Sequence, residues 1–129
     1  MKIIRKGSAK WAGGLKDGKG LISTESGALT DYPYGFASRF EGQKGSNPEE
    51  LIGAAHAACF TMALSLALNE AGFTAESLET SAKVSLEKLD SGFTITASAL
   101  TLTAKIPGID EATFQKVAAG AKANCPVSK

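Results

Sequence analysis

The sequence lacks an excess of charge of either sign. Fourteen Lys and Arg residues oppose thirteen Asp and Glu residues, which leaves a formal net charge of +1. Nucleic acid and anionic membrane surfaces attract proteins with a strong positive field, so we expect neither as a partner. Hydrophobic residues make up 43% of the chain, a share too high for a disordered protein. We therefore expect a single globular domain over residues 1–129.

Cysteine and histidine are scarce. Two cysteines, Cys59 and Cys125, allow at most one disulfide within the chain, which is too few for a secreted disulfide scaffold of this size. A single histidine, His56, argues against a zinc site made of protein ligands alone. No apolar run followed by a cleavage site occurs near Met1, so we expect no signal peptide and a cytoplasmic location.

Only one stretch reaches the length of a membrane span, and its composition argues against that role. Residues 51–68 carry no formally charged side chain. The stretch is largely alanine, contains polar residues and has glutamates at its ends, so its transfer into lipid is unfavourable. We expect a buried central helix instead. Asn47 can cap it, Pro48 suits its first position, Glu50 completes a capping box, and Gly72 is expected at the C′ position after its end.

Alternating apolar residues predict strands on both sides of this helix. Before it, two strands flank a turn centred on Asp17-Gly18, followed by a connecting loop over residues 31–36 and a short strand near residues 37–40. After it, a hairpin turns at residues 90–92 and contains a bulge where the apolar parity changes.

Asp110 can cap a final helix. The order β-β-(β)-α-β-β-α predicts an α+β fold in which antiparallel hairpins pack around a long central helix.

A phosphate-binding loop is suggested by the first turn and excluded by its details. Gly13, Gly18 and Lys19 satisfy the first part of the pattern, but Gly20 stands where Ser or Thr would hold magnesium. The following residues predict a strand where the motif requires a helix. A hairpin turn is therefore expected, and nucleotide binding is not.

The two cysteines are the main candidates for chemistry. Cys59 lies near the middle of the predicted helix, where a buried unpaired cysteine commonly serves as a small hydrophobic residue. Cys125 stands beside Pro126, and distant cysteines in a reducing compartment are more often redox-active than structural. The residue types alone leave both interpretations open: a redox pair, or two unreactive buried thiols.

A reactive thiol needs a group that stabilises its thiolate, because an unperturbed cysteine is mostly protonated at neutral pH. His56 shares a helix face with Cys59, although a histidine on an apolar helix is more often a hydrogen-bonded core residue. Arg39 is the better candidate, because a guanidinium stays charged when buried and can also bind a carboxylate. The alternative for Arg39 is a surface position on a strand edge.

Three segments of the chain together resemble one protein family. They are S-R-F-E-G at residues 38–42, N-P-E-E-L-I-G-A-A-H-A-A-C-F at residues 47–60 and C-P-V-S at residues 125–128. Over essentially its whole length the chain is similar to the OsmC/Ohr family of bacterial thiol peroxidases, and most similar to the OsmC branch. The combination is highly specific, whereas no single segment would suffice.

The resemblance implies a cysteine-based peroxidase that reduces organic hydroperoxides, and hydrogen peroxide, in oxidative and osmotic stress defence. By position, Cys59 would become a sulfenic acid and Cys125 would resolve it as a disulfide. Arg39 would stabilise the thiolate and polarise the peroxide, and Glu49 would hold Arg39 in place. The implied reductant is a dithiol or a lipoylated protein, and no metal, haem or flavin is implied.

The resemblance also implies an intertwined homodimer with its sites at the interface. Glu49 and Cys59 are ten residues apart, about 15 Å along one helix, so they cannot meet on a straight helix. Either the helix is broken, or a second copy supplies Arg39 and Glu49 to Cys59. The alternative function is a non-catalytic ligand-binding or stress-accessory protein of the same fold.

Members of the family continue after the C-P-V-S segment with a further strand, whereas this sequence stops at Lys129. Either the sequence is truncated or its end is omitted; loss of that strand would leave a sheet edge unpaired and Cys125 near a mobile terminus.

Overall fold

The computed structural model describes residues 1–128. Its internal contacts group the chain into two compact units, the first over Met1–Pro48 and the second from Glu49 onward. Each unit has its own antiparallel sheet.

The sheet of the first unit has three strands. β1 (Gly7–Ala12), β2 (Lys19–Thr24) and β3 (Tyr32–Tyr34) lie in that order, and each neighbouring pair is antiparallel. Between β1 and β2 the Gly18 N–H donates to the Gly14 carbonyl at 2.8 Å, which closes the turn. Because Lys19 begins a strand rather than a helix, this turn is the predicted hairpin.

The predictions for residues 31–40 are wrong in two places. The expected connecting loop contains β3, and the strand expected near residues 37–40 is instead a short helix, α1 (Phe36–Phe40). The Gly35 N–H donates to Ser38 Oγ at 2.8 Å, and the same hydroxyl donates to the Ser46 carbonyl at 2.8 Å. Such side-chain hydrogen bonds to the backbone compete with strand pairing and favour a tight helical turn.

The second unit contains the long helix, a hairpin and a final helix. These elements are α2 (Pro48–Glu70, whose first residue closes the first unit), β4 (Ser77–Leu89), β5 (Gly92–Lys105) and α3 (Glu111–Asn124). β4 and β5 pair antiparallel along their whole length. The α+β fold class is confirmed, and so are the predicted start of α2 and the hairpin turn.

The C-terminus of α2 and the N-terminus of α3 are both set by the local sequence. Gly72 has φ +89°, its N–H donates to the Asn69 carbonyl, and the Phe73 N–H donates to the Leu68 carbonyl at 2.8 Å. These two bonds form a Schellman motif with Gly72 at C′, as predicted. At the start of α3, Asp110 Oδ1 accepts from the Thr113 N–H at 2.7 Å, which confirms the predicted cap.

The predicted bulge in β5 sets which side chains face the helices. Ser85 pairs with Ala97 and Leu86 pairs with Ile95, so Thr96 is the extra residue. Beyond this bulge the partly buried positions of β5 are even-numbered, beginning with Ser98, while Ile95 before it is 44% exposed. The bulge therefore turns Ser98 inward.

The core of the second unit lies along one face of α2. Its buried members are Phe60, Leu64, Leu68, Ala121 and Cys125. Burial of each large apolar side chain contributes roughly 2 kcal/mol. Elsewhere on α2, Met62 is 76% exposed and Leu66 is 60% exposed. Among residues 1–128, α2 alone has the length and hydropathy of a membrane span, a test that core helices of soluble proteins also pass.

Candidate active site

The two cysteines lie together in the second unit. Cys59 is partly buried near the middle of α2, and Cys125 is fully buried at the C-terminus of α3, where its N–H donates to the Ala121 carbonyl. Their sulfur atoms are 2.8 Å apart and share a hydrogen bond as free thiols. A disulfide, with sulfurs about 2.05 Å apart, requires only a small further approach. The pair is therefore placed for reversible oxidation.

The surroundings of the two sulfurs favour charge on Cys125. The hydrogen bond with Cys125 raises the pKa of the Cys59 thiol, although the backbone of Val127 opposes this. Burial raises the pKa of Cys125, but hydrogen bonds with Cys59 and with Ser128 outweigh it and bring this pKa below the usual thiol value. Cys59 therefore needs a further cation to be the charged member of the pair.

His56 lies one helical turn before Cys59 and is 8% exposed. Its Nδ1 is 2.7 Å from Ser98 Oγ on β5, and its Nε2 is 2.7 Å from Ser128 Oγ. His56 is therefore a hydrogen-bonded core residue, which is the more common role of a histidine on an apolar helix. The sequence reasoning did not single out Ser98 or Ser128, although Ser128 ends the C-P-V-S segment and Ser98 follows the predicted bulge.

The two other predicted site residues belong to α1 and to the first turn of α2. Arg39 belongs to the first unit, where it is exposed on α1 with its guanidinium carbon 5.3 Å from the centre of the Phe40 ring. Its suggested position on a strand edge is wrong, because residues 36–40 are helical. Glu49 is buried in the first turn of α2, about 15 Å along the helix axis from Cys59. Since α2 is continuous, the alternative of a broken helix is also wrong.

Within residues 1–128, no group of three or more His, Cys, Asp or Glu side chains is arranged to hold a metal ion. The groups that the structure places at this site include the two thiols, the His56 imidazole and the Ser98 and Ser128 hydroxyls.

Fold and site together define an α+β protein with a dithiol between its long helix and its last helix. The chain belongs to the OsmC-like protein family, whose sequence pattern matches residues 41–129. It is 61% identical over 129 residues to Peroxiredoxin OsmC of Escherichia coli, covering the whole of this chain and 90% of that protein. It is also 35% identical over 112 residues to Organic hydroperoxide resistance protein OhrB of Bacillus subtilis, covering 85% of this chain and 79% of that protein.

Solved structures show the same fold. The crystal structure of OhrB of Bacillus subtilis has a TM-score of 0.68 at 30% identity and covers 95% of this chain and 87% of that chain. An organic hydroperoxide resistance protein from Elizabethkingia anophelis has a TM-score of 0.70 at 28% identity, covering 99% of this chain and 89% of that chain. The predicted family and fold are thereby confirmed.

Proposed function

We propose that the protein is a cysteine-based peroxidase that reduces organic hydroperoxides, and also hydrogen peroxide, in stress defence in the cytoplasm. One observation carries this proposal: Cys59 and Cys125 are both free thiols, and their sulfur atoms are 2.8 Å apart. The names of the relatives, a peroxiredoxin and an organic hydroperoxide resistance protein, support the same chemistry.

The reaction begins at Cys59. Its thiolate attacks the terminal oxygen of the hydroperoxide, the O–O bond breaks, and the alcohol leaves after taking up a proton. Cys59 is then a sulfenic acid. The sulfur of Cys125 attacks it, the S–O bond breaks, and water leaves as the disulfide forms. A dithiol or a lipoylated protein restores both thiols by thiol–disulfide exchange.

Arg39 and Glu49 have supporting roles in this proposal. Because the pKa of Cys59 is raised by its partner thiol, a cation is needed to hold its thiolate, and the Arg39 guanidinium remains charged in any surroundings. Arg39 also polarises the peroxide, and Glu49 fixes the position of Arg39.

The proposed assembly is a homodimer in which a second copy supplies Arg39 and Glu49 to Cys59. The distance of about 15 Å along continuous α2 supports this arrangement, because Glu49 and Cys59 do not meet within one helix. The exposed apolar side chains of Met62 and Leu66 supply a surface for a second copy to cover.

The test is steady-state reduction of cumene hydroperoxide with dihydrolipoamide, using the wild type, Cys59→Ser and Cys125→Ser. We expect wild-type turnover, a loss of at least about a thousandfold in Cys59→Ser because the nucleophile is gone, and a burst without sustained turnover in Cys125→Ser. Equal activity of Cys59→Ser and wild type would exclude the proposal. An inert wild type would favour the ligand-binding alternative.

A further inference from the structure

A continuous line of hydrogen bonds runs from the buried histidine to the two sulfurs. It passes from Ser98 Oγ to His56 Nδ1, and from His56 Nε2 to Ser128 Oγ, each over 2.7 Å. The Ser128 hydroxyl in turn hydrogen-bonds to Cys125, whose sulfur is 2.8 Å from that of Cys59. Two of these five groups are the thiols of the proposed reaction, and the other three have no role in it so far.

We propose that Ser128 and His56 form a proton relay that removes the proton of Cys125 as the disulfide closes. The proposal rests on the proposed function, since it assigns a task within the resolving step. Ser128 touches the reacting sulfur directly. His56 acts through Ser128 as a positioning residue, and Ser98 orients the imidazole.

The local backbone holds the relay in place. The Ser128 N–H donates to the Cys125 carbonyl at 3.0 Å, which closes a turn directly after α3 and brings the Ser128 hydroxyl back toward the sulfur. His56 is fixed from the other side by Ser98, which the bulge in β5 turns inward. Both ring nitrogens therefore have partners, and the imidazole cannot rotate without losing two hydrogen bonds.

The relay works because each hydroxyl can both donate and accept. With its proton on Nδ1, neutral His56 donates to Ser98 and accepts from Ser128 at Nε2, and Ser128 in turn accepts from the Cys125 S–H. After transfer, the imidazolium donates to Ser128 and Ser128 donates to the thiolate. Every hydrogen bond is kept in both states, so the transfer needs no rearrangement of side chains.

The resolving step then balances. The Cys125 proton passes to Ser128 while the Ser128 proton passes to His56, and the resulting thiolate attacks the Cys59 sulfur. The S–O bond breaks with its electron pair on oxygen, and the hydroxide takes a proton from solvent to leave as water. The Cys59 sulfur is reduced from sulfenic acid to disulfide, and the Cys125 sulfur is oxidised from thiol to disulfide.

The proton can then leave through a cavity on the far side of the histidine. This cavity, of about 520 Å³, is bounded by α2, β5 and α3, and its lining includes His56, Ser98, Gln115 and Lys122.

The test measures disulfide closure in a single turnover. Reduced protein receives one equivalent of cumene hydroperoxide without reductant, and quenched samples are analysed by mass spectrometry for the disulfide and for the dimedone adduct of Cys59 sulfenic acid. We compare the wild type with Ser128→Ala, Ser128→Thr and His56→Gln. Thr61→Val is the matched control, because it removes a hydroxyl from the same helix that pairs with Thr80 at 2.7 Å outside the relay.

At about pH 7 we expect closure to slow at least about tenfold in Ser128→Ala and His56→Gln, with more dimedone adduct. Ser128→Thr and Thr61→Val should close at the wild-type rate. At about pH 9.5, above the usual thiol pKa, solvent hydroxide ionises Cys125 and the Ser128→Ala rate should approach that of the wild type. A relay predicts the same defect and the same recovery in His56→Gln, whereas a Ser128 hydroxyl that only lowers the pKa of Cys125 predicts no defect in His56→Gln.

Two results would overturn the relay separately from the peroxidase activity. One is closure in Ser128→Ala within about twofold of the wild type at neutral pH, while both proteins consume peroxide. The other is a defect of equal size at both pH values. If the wild type consumes no peroxide at all, the proposed function fails and the relay falls with it.

Discussion

At the residue scale, the two sulfurs differ because different groups surround them. The side chain and backbone of Ser128 hydrogen-bond to the Cys125 thiolate, whereas the Cys59 thiolate has one such bond from the backbone of Val127 and its ionisation is opposed by the partner thiol. The pair therefore favours charge on the resolving cysteine. In the proposed mechanism, Arg39 reverses this preference when the peroxide is attacked.

Removal of the partner thiol should make Cys59 ionise more readily. The hydrogen bond with Cys125 is the largest cause of its raised pKa, so Cys125→Ala should lower that pKa. A lower pKa means more thiolate at a given pH, so the midpoint of the rate of Cys59 alkylation by iodoacetamide should move to lower pH. Peptide mass spectrometry identifies the alkylated residue in both proteins. A midpoint that is unchanged or higher would contradict this origin of the shift.

The sequence singled out the two cysteines and His56, but not the serines that hydrogen-bond to His56. The spacing of the cysteines and the C-P-V-S segment are visible in the chain, and so is the single histidine. The bonds from His56 to Ser98 and Ser128 join residues 42 and 72 positions apart, and they depend on the register after a bulge. No local sequence pattern could therefore predict these two hydrogen bonds.

At the scale of elements, the ends of the helices were predictable because caps are local. Pro48, Gly72 and Asp110 each act within a few residues of their own position. The short elements β3 and α1 were missed because each depends on residues outside its own segment: β3 on pairing with β2, and α1 on the hydrogen bond between Ser38 and Ser46.

The left-handed glycine after α2 should not tolerate a side chain. Gly72→Ala places a Cβ at φ +89° and should lower the free energy of unfolding by about 1–2 kcal/mol. Gly120→Ala is the matched control, because Gly120 lies inside α3 with open space around it and should gain roughly 0.5–1 kcal/mol. Urea unfolding followed by circular dichroism measures both. Equal effects of the same sign would exclude this account of the helix end.

The cap of α3 should make stability depend on pH. The Thr113 N–H lowers the pKa of Asp110, so its carboxylate stabilises the fold above the usual aspartate pKa, and this stabilisation is lost as pH falls through the lowered value. Asp110→Ala should therefore lower the urea midpoint at neutral pH and converge with the wild type in acid. Asp110→Asn, which still caps, should lose less at neutral pH. A difference between Asp110→Ala and wild type that persists unchanged into acid would contradict the assignment.

At the scale of the whole molecule, family and fold class were predictable because several motifs occur together along one chain. The placement of Arg39 and Glu49 relative to Cys59 stays a prediction, because our proposal assigns it to a second copy of the chain. That assignment makes the assembly itself open to test.

A charged substitution on the exposed side of α2 should dissociate the dimer, and the same substitution should reduce peroxidase activity. Met62→Lys replaces an apolar side chain with a charged one. The Met62 side chain is 76% exposed in a single chain, and we propose that the second copy covers it in the dimer. We expect sedimentation velocity to shift from dimer to monomer, with loss of turnover because the partner's Arg39 is removed. Ala123→Lys, on the exposed side of α3, should leave both unchanged. A wild type that is monomeric and fully active at nanomolar concentration would exclude the dimer.

The most direct test of the central claim is the identity of the product formed by one equivalent of organic hydroperoxide. We predict that non-reducing peptide mapping of the wild type will find Cys59 joined to Cys125 within a single chain, with the loss of two hydrogens and the release of one equivalent of alcohol. Peroxide consumption without that linkage, or two thiols left intact by the peroxide, would contradict the account.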